Sequence, residues 1–307
     1  MAGKQTPAPA GDSSRARFGR VRGFAPWRPQ EKTRLLLSDV AEVLQEYREF
    51  LPLTCRQVFY RLVGLRGFEK TEAAYGRLCE AINRGRRAGL IPFGHIRDDG
   101  ATRREPLAWD GPGEFLDTLK GHAERFRRDR QQGQPVRLWL ACEAGGMVPM
   151  LYRAAEGFGV PVLSSGGFDS LSAKHDLARE LAAWPAAEVL HIGDLDPSGV
   201  HLFQSMAEDV AAMVRALGGC DVRFSRLAVT SEQAARMGLP TAPPKATDRR
   251  AFDGETVQAE AIAPDVLSEL VRDAIASRFC LETYRATLAQ EAEERAELVA
   301  ALEELQP

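Results

Sequence analysis

Three acidic side chains stand where apolar runs end. Glu143 follows VRLWLAC (136–142), and Asp194 and Asp196 follow AEVLHIG (187–193) within HIGDLDPSG. Such runs suit strands buried on both faces of a parallel sheet, and in open parallel sheets the functional crevice lies outside the C-terminal strand ends. In an extended or tightly turned Asp-x-Asp the side chains at i and i+2 point the same way. Glu143, Asp194 and Asp196 are therefore expected to converge on one spot. Gathered without a counter-charge, three carboxylates repel one another and are driven toward protonation. An oxygen-only set favours a hard divalent ion, Mg²⁺ with Mn²⁺ as a substitute, which keeps several waters and binds phosphate oxygens beside one or two carboxylates. The chemistry implied is phosphate chemistry. For an isolated Asp-x-Asp the alternative is a turn whose aspartate caps the next helix, and Glu143 at the matching strand end weighs for the metal.

A second candidate lies in TCRQVFYRLVG (54–64). On a helix Val58, Phe59, Leu62 and Val63 share one arc, and Tyr60 falls about 130° from its centre. This predicts Tyr60 off the core, with Arg56 one turn earlier on the same flank. A guanidinium there reaches the phenol or a phosphate bound to it and stabilises developing negative charge. The alternative is a rim aromatic beside a surface ion-pair partner.

The elements that must carry these residues follow from periodicity and punctuation. Residues 1–30, rich in Pro, Gly, Ser and Arg, read as a flexible basic arm. Residues 31–105 read as three helices, the second opening at Thr54 as N-cap and the third spanning about 69–88, followed by a short strand, IPFGHI (91–96). That order resembles a winged helix-turn-helix whose basic third helix enters a groove. Arg77, Arg84, Arg86 and Arg87 on it, with Arg103 and Arg104 beyond, are the candidate phosphate contacts. Residues 106–135 read as a connector with a helix near 113–130. Residues 136–263 alternate strands (136–142, 160–165, 187–192, 221–229) with helices, which indicates an α/β domain with a mainly parallel sheet. Residues 264–307 read as helices that pack on this domain or pair with a second copy.

Composition narrows the function classes. With 307 residues and 44% apolar content the chain suffices for two ordinary domains. No apolar stretch spans a bilayer and the N-terminal sequence lacks a signal-peptide pattern, so a soluble, cytoplasmic and nucleoid-associated protein is expected. The five scattered cysteines form no Cys-x-x-Cys pair, against both a disulfide framework and a structural zinc site. Residues 1–135 carry 25 basic and 17 acidic side chains, whereas residues 136–307 carry 15 and 26. A basic half that grips a polyanion and an acidic half that holds cations account for this asymmetry, as do two solvated surfaces of opposite sign.

Glu143 after the first strand of the α/β domain and GDLDPSG after the third resemble the Toprim domain of topoisomerases, primases and certain nucleases, over about residues 136–230. The form GD-x-DP-x-G, with SSGGFDS (164–170) between the acidic positions, is most similar to the A subunit of topoisomerase VI and its relative, the meiotic double-strand-break transesterase. The resemblance implies that Glu143, Asp194 and Asp196 bind Mg²⁺. It extends to Arg56, Phe59 and Tyr60, which match an arginine followed by two aromatics, and it implies Tyr60 as nucleophile. Phenol, with a pKa of about 10, is a poor nucleophile at neutral pH, and the family activates it with metal and arginine to form a 5′-phosphotyrosyl link to double-stranded DNA. There the tyrosine of one protomer meets the metal site of the other, which implies a homodimer.

The chain departs from that family in having no P-loop and no ATP-lid pattern, so ATP-driven strand passage requires a separate ATPase subunit. Its 249–275 segment matches nothing in the topoisomerase and resembles stand-alone bacterial and phage Toprim proteins. Glu260 there either joins the acidic site or is a solvated or capping residue, the latter being the expectation. Lys174 and His175 follow SSGGFDS and are weaker candidates for the crevice. Two alternatives to the transesterase stay open: a Toprim nuclease that hydrolyses DNA without a covalent intermediate, and a non-catalytic DNA-binding subunit.

Overall fold

A computed structural model describes residues 24–97, 105–165, 171–244, 252 and 254–304. Most of the basic arm, Arg103, Arg104 and most of SSGGFDS lie outside them. The described residues form a mixed α/β structure.

The N-terminal part is built from α1 (Glu31–Glu46), β1 (Leu53–Thr54), α2 (Cys55–Arg66), α3 (Glu72–Arg87) and β2 (Ile96–Arg97). Leu37, Val40, Val43 and Leu44 make the buried stripe of α1. Thr54 caps α2 in a capping box with Gln57, and Gly67, at φ 64°, ends the helix in the left-handed conformation that glycine adopts without strain. Thr71 caps α3, whose last turn carries Arg84, Arg86 and Arg87 where the helix dipole favours cations. The strand expected at 91–96 is shorter. Pro92 offers no amide and residues 93–95 turn as a 3₁₀ helix, so only Ile96–Arg97 extends, parallel to Leu53–Thr54.

After α4 (Pro112–Glu124), the chain alternates β3 (Arg137–Cys142), α5 (Val148–Ala155), β4 (Val162–Ser164), α6 (Leu171–Ala182), β5 (Ala187–Ile192), α7 (Pro197–Ala216), β6 (Val222–Ala228) and α8 (Ser231–Met237). The four strands are parallel in the order β4-β3-β5-β6. The chain winds outward from β3 to β4, then returns past β3 to lay down β5, so β3 and β5 flank the switch point where ligands bind in such sheets. Leu138, Leu140 and Cys142 face one core, with α5 and α9 (Pro264–Ala276), while Trp139 and Ala141 face the other, with α6 and α7. The first core runs on without a break into α1, α2 and α3.

The last helix, α10 (Leu281–Glu304), lies against α4. Its buried Glu291 accepts from Arg130 Nε (2.9 Å) and Nη2 (2.6 Å), from the Arg128 amide (3.1 Å), and from Arg295. A buried carboxylate needs such partners. Of the cysteines, Cys142 is buried, whereas Cys280 is exposed.

Candidate active site

β3 and β5 are paired in register, Cys142 opposite Ile192, and the Glu143 amide continues the ladder to Ile192 O at 2.9 Å. Glu143 and Gly193 therefore leave the sheet side by side. The Asp194 amide donates to Glu143 Oε2 at 3.0 Å. Asp194 Oδ1 accepts from the Ala259 amide at 2.8 Å, and Asp196 Oδ1 caps α7 by accepting from the Gly199 amide at 2.6 Å. The capping role weighed as an alternative to metal binding is thus real for Asp196.

Two glycines keep this turn open. A Cβ on Gly199 would stand 2.6 Å from Asp194 O, 2.9 Å from Glu143 Oε2 and 3.3 Å from Asp196 Oδ1, and one on Gly193 would stand 2.8 Å from Glu143 Oε2. Carboxylates of residues 143 and 196 share the space over Gly199. Burial and the neighbouring Asp194 charge push Glu143 up to about 7, and burial with Asp196 raises Asp194. Arg226 supplies partial compensation from beneath. Its guanidinium donates to Gly193 O (2.9 Å), to Val229 O (3.1 Å) and to Asp194 O, and its charge lowers both acids. As they stand, no three His, Cys, Asp or Glu side chains among the described residues converge as a metal cage. The hard-oxygen donors and the glycine-kept space fit a cation that uses one or two carboxylates and keeps its other waters.

Facing this edge is a cleft of about 1040 Å³. Glu143, Asp194 and Glu260 line it, together with Arg56, Arg86, Arg87 and Arg97. Of the candidate phosphate contacts, Arg86 and Arg87 line this cleft. Arg77 and Arg84 do not: Arg77 pairs with Glu69 at 3.0 Å, and Arg84 pairs with Glu80 at 3.8 Å and stacks over Trp27, both lining a separate groove. Arg97, from the two-residue β2, is a cleft residue the sequence reading missed.

Glu260 departs from the solvated or capping role expected of it. It is 8% exposed, accepts from Thr54 Oγ1 at 2.9 Å and pairs with Arg56 Nε at 3.5 Å. Thr54 thereby caps α2 and fastens the 258–262 segment to the start of that helix.

Tyr60 is the main correction. It is 6% exposed, not off the core. The helical wheel counts only α2's own apolar arc, whereas residues 257–261 cross the opposite flank, and Tyr60 Oη donates to Gln258 Oε1 at 2.7 Å. Burial lifts the phenol to about 12, against the charge of Arg56. Tyr60, Arg56 and Asp196 line a second cleft of about 410 Å³. Arg56 itself leans on Glu260 and the Tyr75 ring.

Behind Glu143 a cavity of about 20 Å³ is lined by Ser165, Lys174, His191 and Phe203. Lys174 is buried and paired with Asp209 at 2.5 Å, whereas His175 points outward beside Asp176. His191 is 2% exposed, stacks on Phe203, and approaches Ser165 Oγ at 3.3 Å through Nε2.

No known family model matches the chain, and neither does a curated protein or a solved structure. No helix among the described residues is long and apolar enough to cross a membrane.

Proposed function

We propose that the chain cleaves DNA phosphodiester bonds in the cleft between its N-terminal helices and its parallel sheet, with a winged-helix-like half presenting the DNA to a Toprim-like half. The observation that carries this reading is one cavity lined by both signs of charge: Arg56, Arg86, Arg87 and Arg97 share it with Glu143 and Asp194, and Glu260 is paired with Arg56 within it. Arginines neutralise and orient phosphates, while the Glu143 and Asp194 carboxylates in the same cavity would repel DNA unless they were there for a cation. Glu143, Asp194 and Asp196 would hold Mg²⁺ or Mn²⁺. Such an ion supplies Lewis-acid polarisation of a phosphoryl oxygen and charge stabilisation at the leaving oxygen.

Water is the nucleophile this arrangement favours. Tyr60 does not line the arginine-carboxylate cleft, its ring is covered, and its proton is engaged by Gln258. A second reading, transesterification by Tyr60, is favoured by one observation: Tyr60, Arg56 and Asp196 meet in the adjoining cleft of a single chain. It requires the 256–261 segment to lift so that the phenolate reaches phosphorus as the 3′ oxygen leaves. A homodimer would place two such sites on the two strands of a duplex.

Supercoiled plasmid incubated with Mg²⁺ or Mn²⁺, quenched with detergent and run with and without protease tests the proposal. Free ends that persist in Tyr60→Phe support hydrolysis. Protein-linked ends that vanish in that variant support the tyrosine. Retarded but uncut DNA at every divalent concentration overturns both and leaves a DNA-binding subunit.

A further inference from the structure

The mouth of the arginine-carboxylate cleft carries two large exposed rings that neither the cleavage chemistry nor the core explains. Phe24 is 80% exposed and Phe93 50%. Their centroids lie 5.6 Å apart at 79°, edge to face. The Arg86 guanidinium sits over the Phe93 ring at 4.6 Å and donates through Nη2 to Phe93 O at 3.3 Å. All three residues line the cleft that also holds Glu143 and Asp194, with Arg87 and Arg97 beside them.

We propose that this rim stacks an unpaired DNA base, so that the cleft selects single-stranded or locally opened DNA over intact duplex. The inference rests on the reading of the cleft as a DNA site and names its preferred substrate form. In a duplex the base faces are covered by neighbouring bases, and only edges and phosphates are offered to protein. Exposed aromatic rings interleaved with arginines are the complement of a strand whose bases are free, because every base has a face to stack and every nucleotide a phosphate to pair. The ring of Phe24 is not what anchors its own segment. The Ala25 amide already donates to Arg87 O at 3.0 Å, which fixes the backbone and leaves the ring presented to solvent. Arg86, with its guanidinium over the Phe93 ring, enlarges the stacking surface within the cleft.

Fluorescence anisotropy in EDTA, where no cleavage competes, tests this with one fluorescein-labelled oligodeoxynucleotide offered as a single strand, as a blunt duplex and as a duplex with a one-base bulge. The single strand and the bulged duplex should bind more tightly than the blunt duplex. Phe24→Ala and Phe93→Ala should weaken single-strand binding about 5- to 100-fold, with duplex binding changed by less than about two-fold. Should Phe93→Ala fail to fold, Phe24→Trp decides, since its added indole emission should be quenched by the single strand and not by the duplex. Equal losses on both forms, or indole emission from the Phe24→Trp variant that is indifferent to DNA, overturn the inference while the cleavage reading stands. Absence of binding by all three forms overturns both.

Discussion

Glu143 and Asp194, fifty-one residues apart, are joined by a hydrogen bond in which the backbone amide of the second serves the carboxylate of the first at 3.0 Å. The bond makes the acidic turn and the end of β3 one unit, and the turn tolerates little. A methyl group on Gly199 would strike both Asp194 O and Glu143 Oε2. Gly199→Ala should destabilise the protein by about 1–3 kcal/mol and abolish divalent-dependent cutting. Urea denaturation measures the first effect and plasmid nicking the second.

His191 gives a pH signature. Burial, aided by Arg226, lowers it to about 3, so the native state refuses a proton that the unfolded chain takes up near 6.5. The unfolded state then binds more protons between those values, and stability falls as pH falls. The contribution is complete above pH 6.5, and about 3 kcal/mol of it is lost by pH 4. Denaturation curves of wild type and His191→Asn across that window should converge as pH drops. Parallel curves contradict the neutral buried ring.

Thr54, Arg56 and Glu260 form one cluster, so their substitutions should not add. Thr54→Ala removes a cap worth about 1 kcal/mol and a donor to Glu260. The ion pair of Arg56 with Glu260 is partly open to solvent on the arginine side, which limits its coupling to about 1 kcal/mol. A double-mutant cycle of Arg56→Ala and Glu260→Gln measures that coupling.

Glu291 anchors α10 through three arginines. Glu291→Ala removes the shared anion of the part-buried Arg130 and Arg295 and should cost about 1.5–3 kcal/mol. Hydrogen exchange should show α10 and α4 losing protection before the parallel sheet does.

What the sequence made legible was local. β5 lies at 187–192 as the apolar run predicted, and Glu143, Asp194 and Asp196 emerge where the runs stop, since apolar patterning and punctuation sit within a few residues of each other. What it concealed is long-range. Tyr60 is buried by a segment 198 residues later in the chain, and Glu260 meets Thr54 across 206 residues, so no helical wheel registers either contact. Arg97 was overlooked because a two-residue strand has no periodicity. Arg77 and Arg84 share a helix with Arg86 and Arg87 but turn toward another groove, a distinction that composition alone does not carry.

The register of β5 against β3 has an engineering consequence. Because the Gly193 amide bonds to Ala228 O and the Asp194 amide to Glu143 Oε2, the turn has little slack to absorb an insertion. One extra residue within β5 would exchange its two faces, sending Val189 toward the wrong core and swinging the aspartates away from Glu143. Two extra residues would restore the faces yet carry the turn forward by about 6.6 Å, beyond the span of any hydrogen bond. Insertions meant to leave the carboxylates in place therefore belong at the opposite, N-terminal rim of the sheet.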